Sequence, residues 1–204
     1  PPAPMDLLGR HPDEFFHDFD DYLEALDNDP PSLNAVCQVG HATLRASVMD
    51  SYDRPATVGE IKKMRGMLEK SLEAGSCGMS TGLFYPLARA APTGEVVELT
   101  GILHAHRALH TTHMRDEGDR ITESLEETFS IGAETQIPIV ISHHKCSGTS
   151  CHGRSMETLA MIDHARKKQP LGLDAYPYTA GSTVLDANRH LRAEKVLITW
   201  SESM

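Results

Sequence analysis

Residues 109–145, LHTTHMRDEGDRITESLEETFSIGAETQIPIVISHHK, contain one complete strand, helix and strand pattern. The runs 109–113 and 138–142 are short, β-rich or apolar, and end in polar residues, which is typical of buried strands. Between them Ile121, Leu125 and Phe129 recur at helical spacing. Because two strands joined through a helix pair in parallel by a right-handed crossover, this stretch predicts a parallel α/β sheet.

The same alternation extends along most of the chain. We predict strands at 34–39, 76–81, 109–113, 138–142 and 171–176. The spacing of these strands is close to the roughly 31 residues per unit of an eight-unit (β/α) barrel, although five units are too few to close one. The fold class is therefore α/β, with about five strand-helix units, and both an open sheet and a partial TIM-type barrel fit this pattern.

The helices between these strands have recognisable ends. The clearest runs from Thr57 to Ala74, because Thr57-Val58-Gly59-Glu60 is a capping box and Gly75 follows the last turn. Further helices are predicted at 13–26, at 93–108 with Thr93 as N-cap, and from Ser155, again as N-cap. Residues 186–204 suggest part of a helix and a strand-like run at 196–200.

Composition limits the classes of function. The 204 residues carry a net charge of −10 without any basic run, which argues against nucleic acid or an anionic membrane as the main partner. The chain has no stretch of the roughly 18 apolar residues that a membrane span requires, and its start does not look like a signal peptide. The four cysteines, Cys37, Cys77, Cys146 and Cys151, are too few for a disulfide framework, which fits a reducing compartment or a role in metal binding. We expect a cytoplasmic protein, with a single domain over residues 1–204.

Two of the twelve histidines stand where neighbouring strands end. His113 closes the strand at 109–113, and His143 closes the strand at 138–142. Parallel strands lie about 4.8 Å apart, so side chains at their carboxyl ends can reach one ion. His113 and His143 are therefore a candidate zinc pair, and the alternative is two hydrogen-bonded loop histidines. Lys145 follows closely and could meet a substrate carboxylate or remain solvated.

Other histidines and cysteines are weaker candidates. The spacing between Cys146 and Cys151 lacks the second pair of a zinc ribbon, so these residues are expected to be loop thiols. His104 and His106 fall within a predicted helix, where residues two apart point in different directions and cannot share an ion, so we expect both to be surface or partly buried histidines. His41 ends the first predicted strand and could either line the same edge or be structural.

Several motifs together resemble the N-acyl-D-amino-acid deacylase (D-aminoacylase) family of the metal-dependent amidohydrolase superfamily. The resemblance covers nearly the whole chain, and its motifs are Val39-Gly40-His41-Ala42-Thr43-Leu44-Arg45, Gly78-Met79-Ser80-Thr81-Gly82-Leu83-Phe84-Tyr85-Pro86, Thr112-His113-Met114-Arg115-Asp116-Glu117, Ile141-Ser142-His143-His144-Lys145, Gly153-Arg154-Ser155 with Glu157-Thr158-Leu159, and Tyr176-Pro177-Tyr178-Thr179-Ala180-Gly181-Ser182-Thr183. It implies a TIM-type barrel with zinc at its mouth, which hydrolyses the amide bond of small N-acyl-D-amino acids.

Residue by residue, the resemblance implies zinc ligands at His113 and His143, and contacts with the substrate carboxylate from Lys145, Tyr176 and Ser182. The family's amino-terminal strand with its metal-binding His-x-His, the following strand with its cysteine ligand and the last strand with its catalytic aspartate have no counterpart in the chain. The resemblance thus implies a central fragment, with the third to seventh barrel units and without the first, second and eighth strands. Alternatives are a metal-binding remnant without activity, or a relative that acts on cyclic amides or isoaspartyl dipeptides.

Overall fold

The computed structural model describes Gly9 and residues 11–184 and 193–197. Within these residues, five parallel strands form one sheet in the order β1-β2-β3-β4-β5. The strands are β1 (Val39–Gly40), β2 (Gly78–Gly82), β3 (Leu109–His113), β4 (Ile139–Ile141) and β5 (Leu171–Leu173). Because spatial order follows chain order, right-handed crossovers place the connecting helices on the same face of the sheet.

The described residues form six α-helices. They are α1 (Phe19–Asn28), α2 (His41–Val48), α3 (Val58–Glu73), α4 (Thr93–Thr100), α5 (Ile121–Thr135) and α6 (Ser155–Arg166). The predicted capping box of α3 is present, since Thr57 accepts from the Glu60 N–H while the Glu60 carboxylate accepts from the Thr57 N–H. No helix of the described chain combines the length and the apolar character needed to cross a bilayer.

The core lies between one face of the sheet and the helices. On that face Met79, His110 and Ile139 occupy opposed positions on three neighbouring strands, and all three are almost fully buried. The residues next to them along each strand, such as Thr111 and Val140, point to the other face of the sheet and are only partly buried. One face is thus packed on helices, and the carboxyl ends of the strands lie together along one edge.

Gly78 allows β2 and β3 to approach closely. A Cβ atom at this position would lie 1.9 Å from the carbonyl oxygen of Leu109, and the backbone φ angle is +156°. Any other residue would therefore clash with the neighbouring strand and adopt a strained conformation. This contact helps to bring the ends of β2 and β3 side by side.

The predicted parallel α/β class with five strands is confirmed, but the first strand and one helix were predicted wrongly. Strand β1 has two residues, whereas a strand of six residues was predicted at 34–39. The neighbouring strand β2 begins at Gly78, opposite residue 38, so the residues before 38 have no strand of the described sheet to pair with. Residues 41–48 form α2, a helix that was not predicted. This helix begins after Gly40, which has no side chain to act as a cap, and it spans only eight residues.

Other boundaries also require correction. Helix α4 ends at Thr100 and does not continue to Ala108, because a 3₁₀ turn follows and Arg107 has a left-handed φ of 53°. Thr93 and Ser155 are first helical residues and not N-caps. The early helix starts at Phe19, after a short 3₁₀ turn, and β5 ends at Leu173. Residues 193–197 have no regular structure, and the rest of the predicted elements at 186–204 lies outside the described residues.

Candidate metal centre

Two histidine rings meet where β3 and β4 end. His113 is the last residue of β3, and His143 follows β4 by two positions. The His113 Nδ1 and His143 Nε2 atoms are 3.1 Å apart, and the ring centroids are 4.6 Å apart. For a tetrahedral ion held at 2.0–2.1 Å, two ligand nitrogens lie roughly 3.3 Å apart, so this pair fits zinc coordination.

The backbone of His143 is held in an unusual conformation. Its φ angle is +41°, in the left-handed region that residues with a side chain rarely adopt. The His143 N–H donates to Asp174 Oδ1 at 2.6 Å, and the next N–H, of His144, donates to the Asp174 carbonyl at 2.8 Å. Asp174 follows β5, so the neighbouring strand end fixes the direction in which the His143 ring points.

A third group, Glu117, lies beside both rings. Its carboxylate is 3.2 Å from His143 Nδ1 and 3.6 Å from His113 Nε2, and the residue is only 6% exposed. In the described part of the chain, one group of three histidine, cysteine or carboxylate side chains is close enough together to hold a metal ion. It consists of His113, Glu117 and His143. Glu117 was not predicted as a site residue, although it stands four residues after His113.

Lys145 reaches the same cluster. Its Nζ donates to Glu117 at 2.7 Å and to the His143 carbonyl at 2.9 Å. The ammonium also lies 5.6 Å from the ring centroid of Tyr176, whose ring is 6.4 Å from that of His143. Burial, with a smaller effect from the Glu117 charge, raises the pKa of the Tyr176 phenol, so its hydroxyl stays a hydrogen-bond donor at neutral pH.

The segment after β5 and the loop after β2 border the histidine pair. Ser182 is exposed, and its neighbour Thr183 has its Oγ1 atom 3.3 Å from the Tyr85 hydroxyl. The rings of Tyr85 and Phe84 lie 5.0 and 5.8 Å from the His113 ring. The structure thus brings His113, His143, Lys145 and Tyr176 together, while Ser182 is exposed and only its neighbour Thr183 contacts the loop after β2.

His41 and His144 do not join this cluster. His41 begins α2 beneath the helices, where it is fully buried and its Nε2 lies 3.0 Å from the Glu95 carboxylate. Arg45 bonds to the same carboxylate, so His41 belongs to an internal polar network. His144 Nε2 lies 3.0 Å from Thr158 Oγ1, away from the metal centre. Burial lowers the pKa of His144 and the nearby Lys145 charge lowers it further, so it stays neutral.

The remaining candidates are surface or loop groups. His104 is exposed and its Nδ1 lies 3.1 Å from the Gln136 carbonyl, while His106 lies 4.0 Å from Glu69. That neither binds metal stays a prediction, and its structural reason was wrong, because both residues follow α4 and are not part of it. Cys146 and Cys151 are free thiols, and their Sγ atoms contact Thr158 and Asp119.

Comparisons with known proteins confirm the resemblance. The chain is 50% identical over 200 residues to a D-aminoacylase of Alcaligenes xylosoxydans xylosoxydans. It is 46% identical to an N-acyl-D-aspartate deacylase and 38% identical to an N-acyl-D-glutamate deacylase from the same organism. Each match includes 98% of this chain and 41% of the relative, so the chain spans about two fifths of the length of these proteins. No family model matches the chain.

Solved structures give the same result. A D-aminoacylase described for its binuclear metal centre matches with a TM-score of 0.86 and 51% identity, over 89% of this chain and 38% of that one. An N-acyl-D-glutamate deacylase from Bordetella bronchiseptica, complexed with zinc and a phosphonate inhibitor, matches with a TM-score of 0.81 and 41% identity. That match covers 86% of this chain and 37% of the deacylase.

Proposed function

We propose, from the premise that this chain is a relative of the N-acyl-D-amino-acid deacylases, that the protein hydrolyses N-acyl-D-amino acids in a zinc-dependent reaction. The products are a D-amino acid and a carboxylate. The observation that carries this proposal is the convergence of two ring nitrogens, His113 Nδ1 and His143 Nε2, beside a lysine ammonium. A cation site next to a fixed positive charge suits a substrate that has both an amide and a carboxylate.

His113 and His143 would hold the zinc. Both nitrogens lie at the carboxyl ends of parallel strands, where α/β barrels place their functional groups. When bound, zinc supplies a Lewis acid that polarises an amide carbonyl and lowers the pKa of a water molecule. The left-handed backbone at His143, held by Asp174, keeps its ring aimed at His113.

Lys145, Tyr176 and Ser182 would bind the substrate carboxylate. Lys145 offers a charged donor within reach of the histidine pair, and Tyr176 lies beside this ammonium with a phenol that remains protonated. Ser182 belongs to the exposed segment that follows Tyr176 and contacts the loop after β2 through Thr183. Anchoring the carboxylate places the adjacent amide at a defined distance from the two histidines.

We also propose that residues 1–204 form a single partial barrel domain, with the third to seventh units of a TIM-type barrel. The sequential strand order and the packing of helices on one face support this, because an open doubly wound sheet has helices on both faces. The partly buried positions Ser80, Thr111 and Val140 would then face the inside of the barrel. The proposal assigns no catalytic base to residues of this chain.

The proposed function is tested by comparing hydrolysis of D and L substrates in the presence and absence of added zinc. The full-length natural protein, with and without added zinc, is incubated with N-acetyl-D-methionine and N-acetyl-L-methionine, and free methionine is measured. Zinc-dependent hydrolysis of the D enantiomer alone is the expected result. Zinc binding without hydrolysis would favour a metal-binding remnant, and hydrolysis of a dihydropyrimidine or a β-aspartyl dipeptide instead would favour another amidohydrolase reaction.

We propose the cytoplasm as the site of this activity. All four cysteines are free thiols, including the buried Cys151, and none is paired in a disulfide. Unpaired thiols are typical of proteins in a reducing compartment. Cell fractionation followed by immunodetection tests this location, and recovery of the protein in a periplasmic or culture-medium fraction would contradict it.

A further inference from the structure

We propose that Glu117 is a positioning residue that orients both His143 and Lys145, and that it is not a third metal ligand. The proposal rests on the proposed function for the role of Lys145 in binding a substrate carboxylate. It assigns a role to a side chain that lies in the loop between β3 and α5, four residues after His113.

Which nitrogen of each histidine ring Glu117 contacts distinguishes a positioning residue from a metal ligand. The histidine nitrogens that converge are His113 Nδ1 and His143 Nε2. Glu117 instead approaches the opposite nitrogens, His143 Nδ1 at 3.2 Å and His113 Nε2 at 3.6 Å. Its carboxylate therefore contacts the ring nitrogens that do not converge, and it leaves the converging pair, His113 Nδ1 and His143 Nε2, to a shared ion. The Lys145 Nζ atom lies 2.9 Å from the same His143 Nδ1 atom. When Nε2 binds a metal ion, Nδ1 carries the ring proton and donates it to the Glu117 carboxylate, and such a bond fixes the ring and its tautomer.

The same carboxylate holds the ammonium of Lys145. Both Glu117 oxygens lie 2.7 Å from Lys145 Nζ. Glu117 is 6% exposed and the Lys145 side chain is 25% exposed, so the pair is largely shielded from water. In the described part of the chain, Glu117 is the carboxylate that pairs with this ammonium beside the cation site. Glu117 thus balances a positive charge that would otherwise repel a bound metal ion.

The backbone of Glu117 ties the two strand ends together. Its carbonyl accepts from the Ser147 N–H at 2.7 Å, which joins the loop after β3 to the loop after β4. Lys145 also donates to the His143 carbonyl, so Glu117, His143 and Lys145 form one closed set of contacts. A shift of Glu117 would therefore move the ring and the ammonium together.

The test uses Glu117→Gln, which keeps the shape of the side chain and removes its charge, in the full-length natural protein. We expect the zinc dissociation constant, measured by competition with a chelator, to rise about 10- to 100-fold. At saturating zinc, we expect the KM for N-acetyl-D-methionine to rise about tenfold, with a smaller change in kcat. Glu123→Gln, which changes an exposed carboxylate paired with Arg120, is the matched control and should behave as wild type.

Two further measurements separate positioning from a general structural effect. The KM for N-acetyl-D-methioninamide, which lacks the carboxylate charge, should stay unchanged in Glu117→Gln. In a Lys145→Met background, Glu117→Gln should no longer raise the KM for the acid, because the two residues act through one contact. Glu117→Asp retains the charge and should recover part of the zinc affinity, and thermal unfolding of each variant shows whether it is folded.

Each other outcome decides against the proposal. Unchanged zinc affinity and unchanged KM in a folded Glu117→Gln protein would overturn it, as would equal effects on the acid and the amide. If Glu117→Gln lost zinc as completely as is expected for His113→Ala or His143→Ala, Glu117 would instead be a metal ligand. If the wild-type protein hydrolyses neither compound, the proposed function fails, but the zinc titration and calorimetric binding of N-acetyl-D-methionine still measure what Glu117 does.

Discussion

The N–H of His143 donates to the Asp174 carboxylate at 2.6 Å while the His143 backbone has a φ of +41°. A left-handed conformation costs a residue with a side chain about 1–2 kcal/mol, so it persists only where neighbouring contacts hold it. Asp174 follows β5 and supplies this contact from the adjacent strand. The direction of a candidate ligand ring thus depends on a residue 31 positions away in the chain.

Asp174→Ala should therefore weaken zinc binding, although it leaves both ligand histidines in place. We expect the zinc dissociation constant to rise by about tenfold, at the lower end of the effect of groups that orient ligands. Asp174→Asn keeps an oxygen that can accept the N–H and should retain most of the affinity. Asp163→Ala, at an exposed position on α6, is the control. A similar affinity in the Ala and Asn variants would show that the hydrogen bond is not what holds His143.

Removal of either ring at the metal centre should abolish tight zinc binding. We expect His113→Ala and His143→Ala to lose bound zinc, measured by metal analysis after dialysis, because each supplies one of the two converging nitrogens. His104→Ala and His106→Ala should keep it, since those side chains bond to a carbonyl and approach Glu69. Equal loss in all four variants would contradict this placement of the metal centre.

Lys145→Ala should affect the substrate more than the metal. We expect a KM for N-acetyl-D-methionine raised about tenfold or more, since a charge-assisted hydrogen bond is lost, while zinc remains bound. Lys168→Ala removes an exposed lysine after α6 and serves as control. An unchanged KM in Lys145→Ala, measured at saturating zinc, would remove this residue from the substrate site.

Local signals in the sequence were sufficient for the elements near the centre of the sheet. Strand β3 was predicted to the residue, because its short β-rich run ends at a charged loop. Helix α3 was also predicted well, because its capping box satisfies both backbone donors. Strand β1 and helix α2 were not, because the extent of an edge strand depends on its neighbour and α2 has no side-chain cap.

The candidate site shows the same division. The positions of His113 and His143 at neighbouring strand ends were predictable from the period of the strands. The role of Glu117 was not, since nothing in the pair Asp116-Glu117 tells which carboxylate turns inward. In the structure Asp116 accepts from the Gly118 and Arg120 N–H groups, whereas Glu117 turns to Lys145, 28 positions further along the chain.

Glu95 should be a strong determinant of stability. Its carboxylate, 2% exposed, bonds to Arg45 and His41, and it also accepts from the Ala56 N–H at 3.0 Å. Burial alone would raise its pKa, but hydrogen bonds from His41 and Arg45 lower it to about 2, so Glu95 stays ionised. Glu95→Ala would leave the fully buried Arg45 uncompensated and should lower the free energy of unfolding by roughly 3–5 kcal/mol.

Urea denaturation followed by circular dichroism measures this effect. Glu98→Ala is the matched control, because Glu98 lies on the same helix and pairs with Arg65 at the exposed surface. Exposed pairs contribute about 0–1 kcal/mol, so this variant should differ little from wild type. The network would be of minor importance if both variants lost the same amount of stability.

His110 should make the protein sensitive to acid. It is fully buried on β3, where its Nε2 lies 2.9 Å from Thr81 Oγ1 and its Nδ1 has no hydrogen-bond partner among the described residues. Burial, with a smaller effect from nearby His41, lowers its pKa to about 3. An unfolded histidine titrates near 6.5, so between about pH 6.5 and 3 the unfolded chain binds a proton that the folded protein does not.

The free energy of unfolding should therefore fall as the pH is lowered through this range, with a contribution from His110 approaching about 1.4 kcal/mol per pH unit. His110→Gln can still bond to Thr81 through its amide but does not titrate. We expect its stability to be less dependent on pH than that of the wild type between pH about 6 and 4, measured by urea denaturation at each pH. If the free energy of unfolding fell equally with pH in the wild type and in His110→Gln, His110 would be protonated in the folded protein or other groups would determine the acid response.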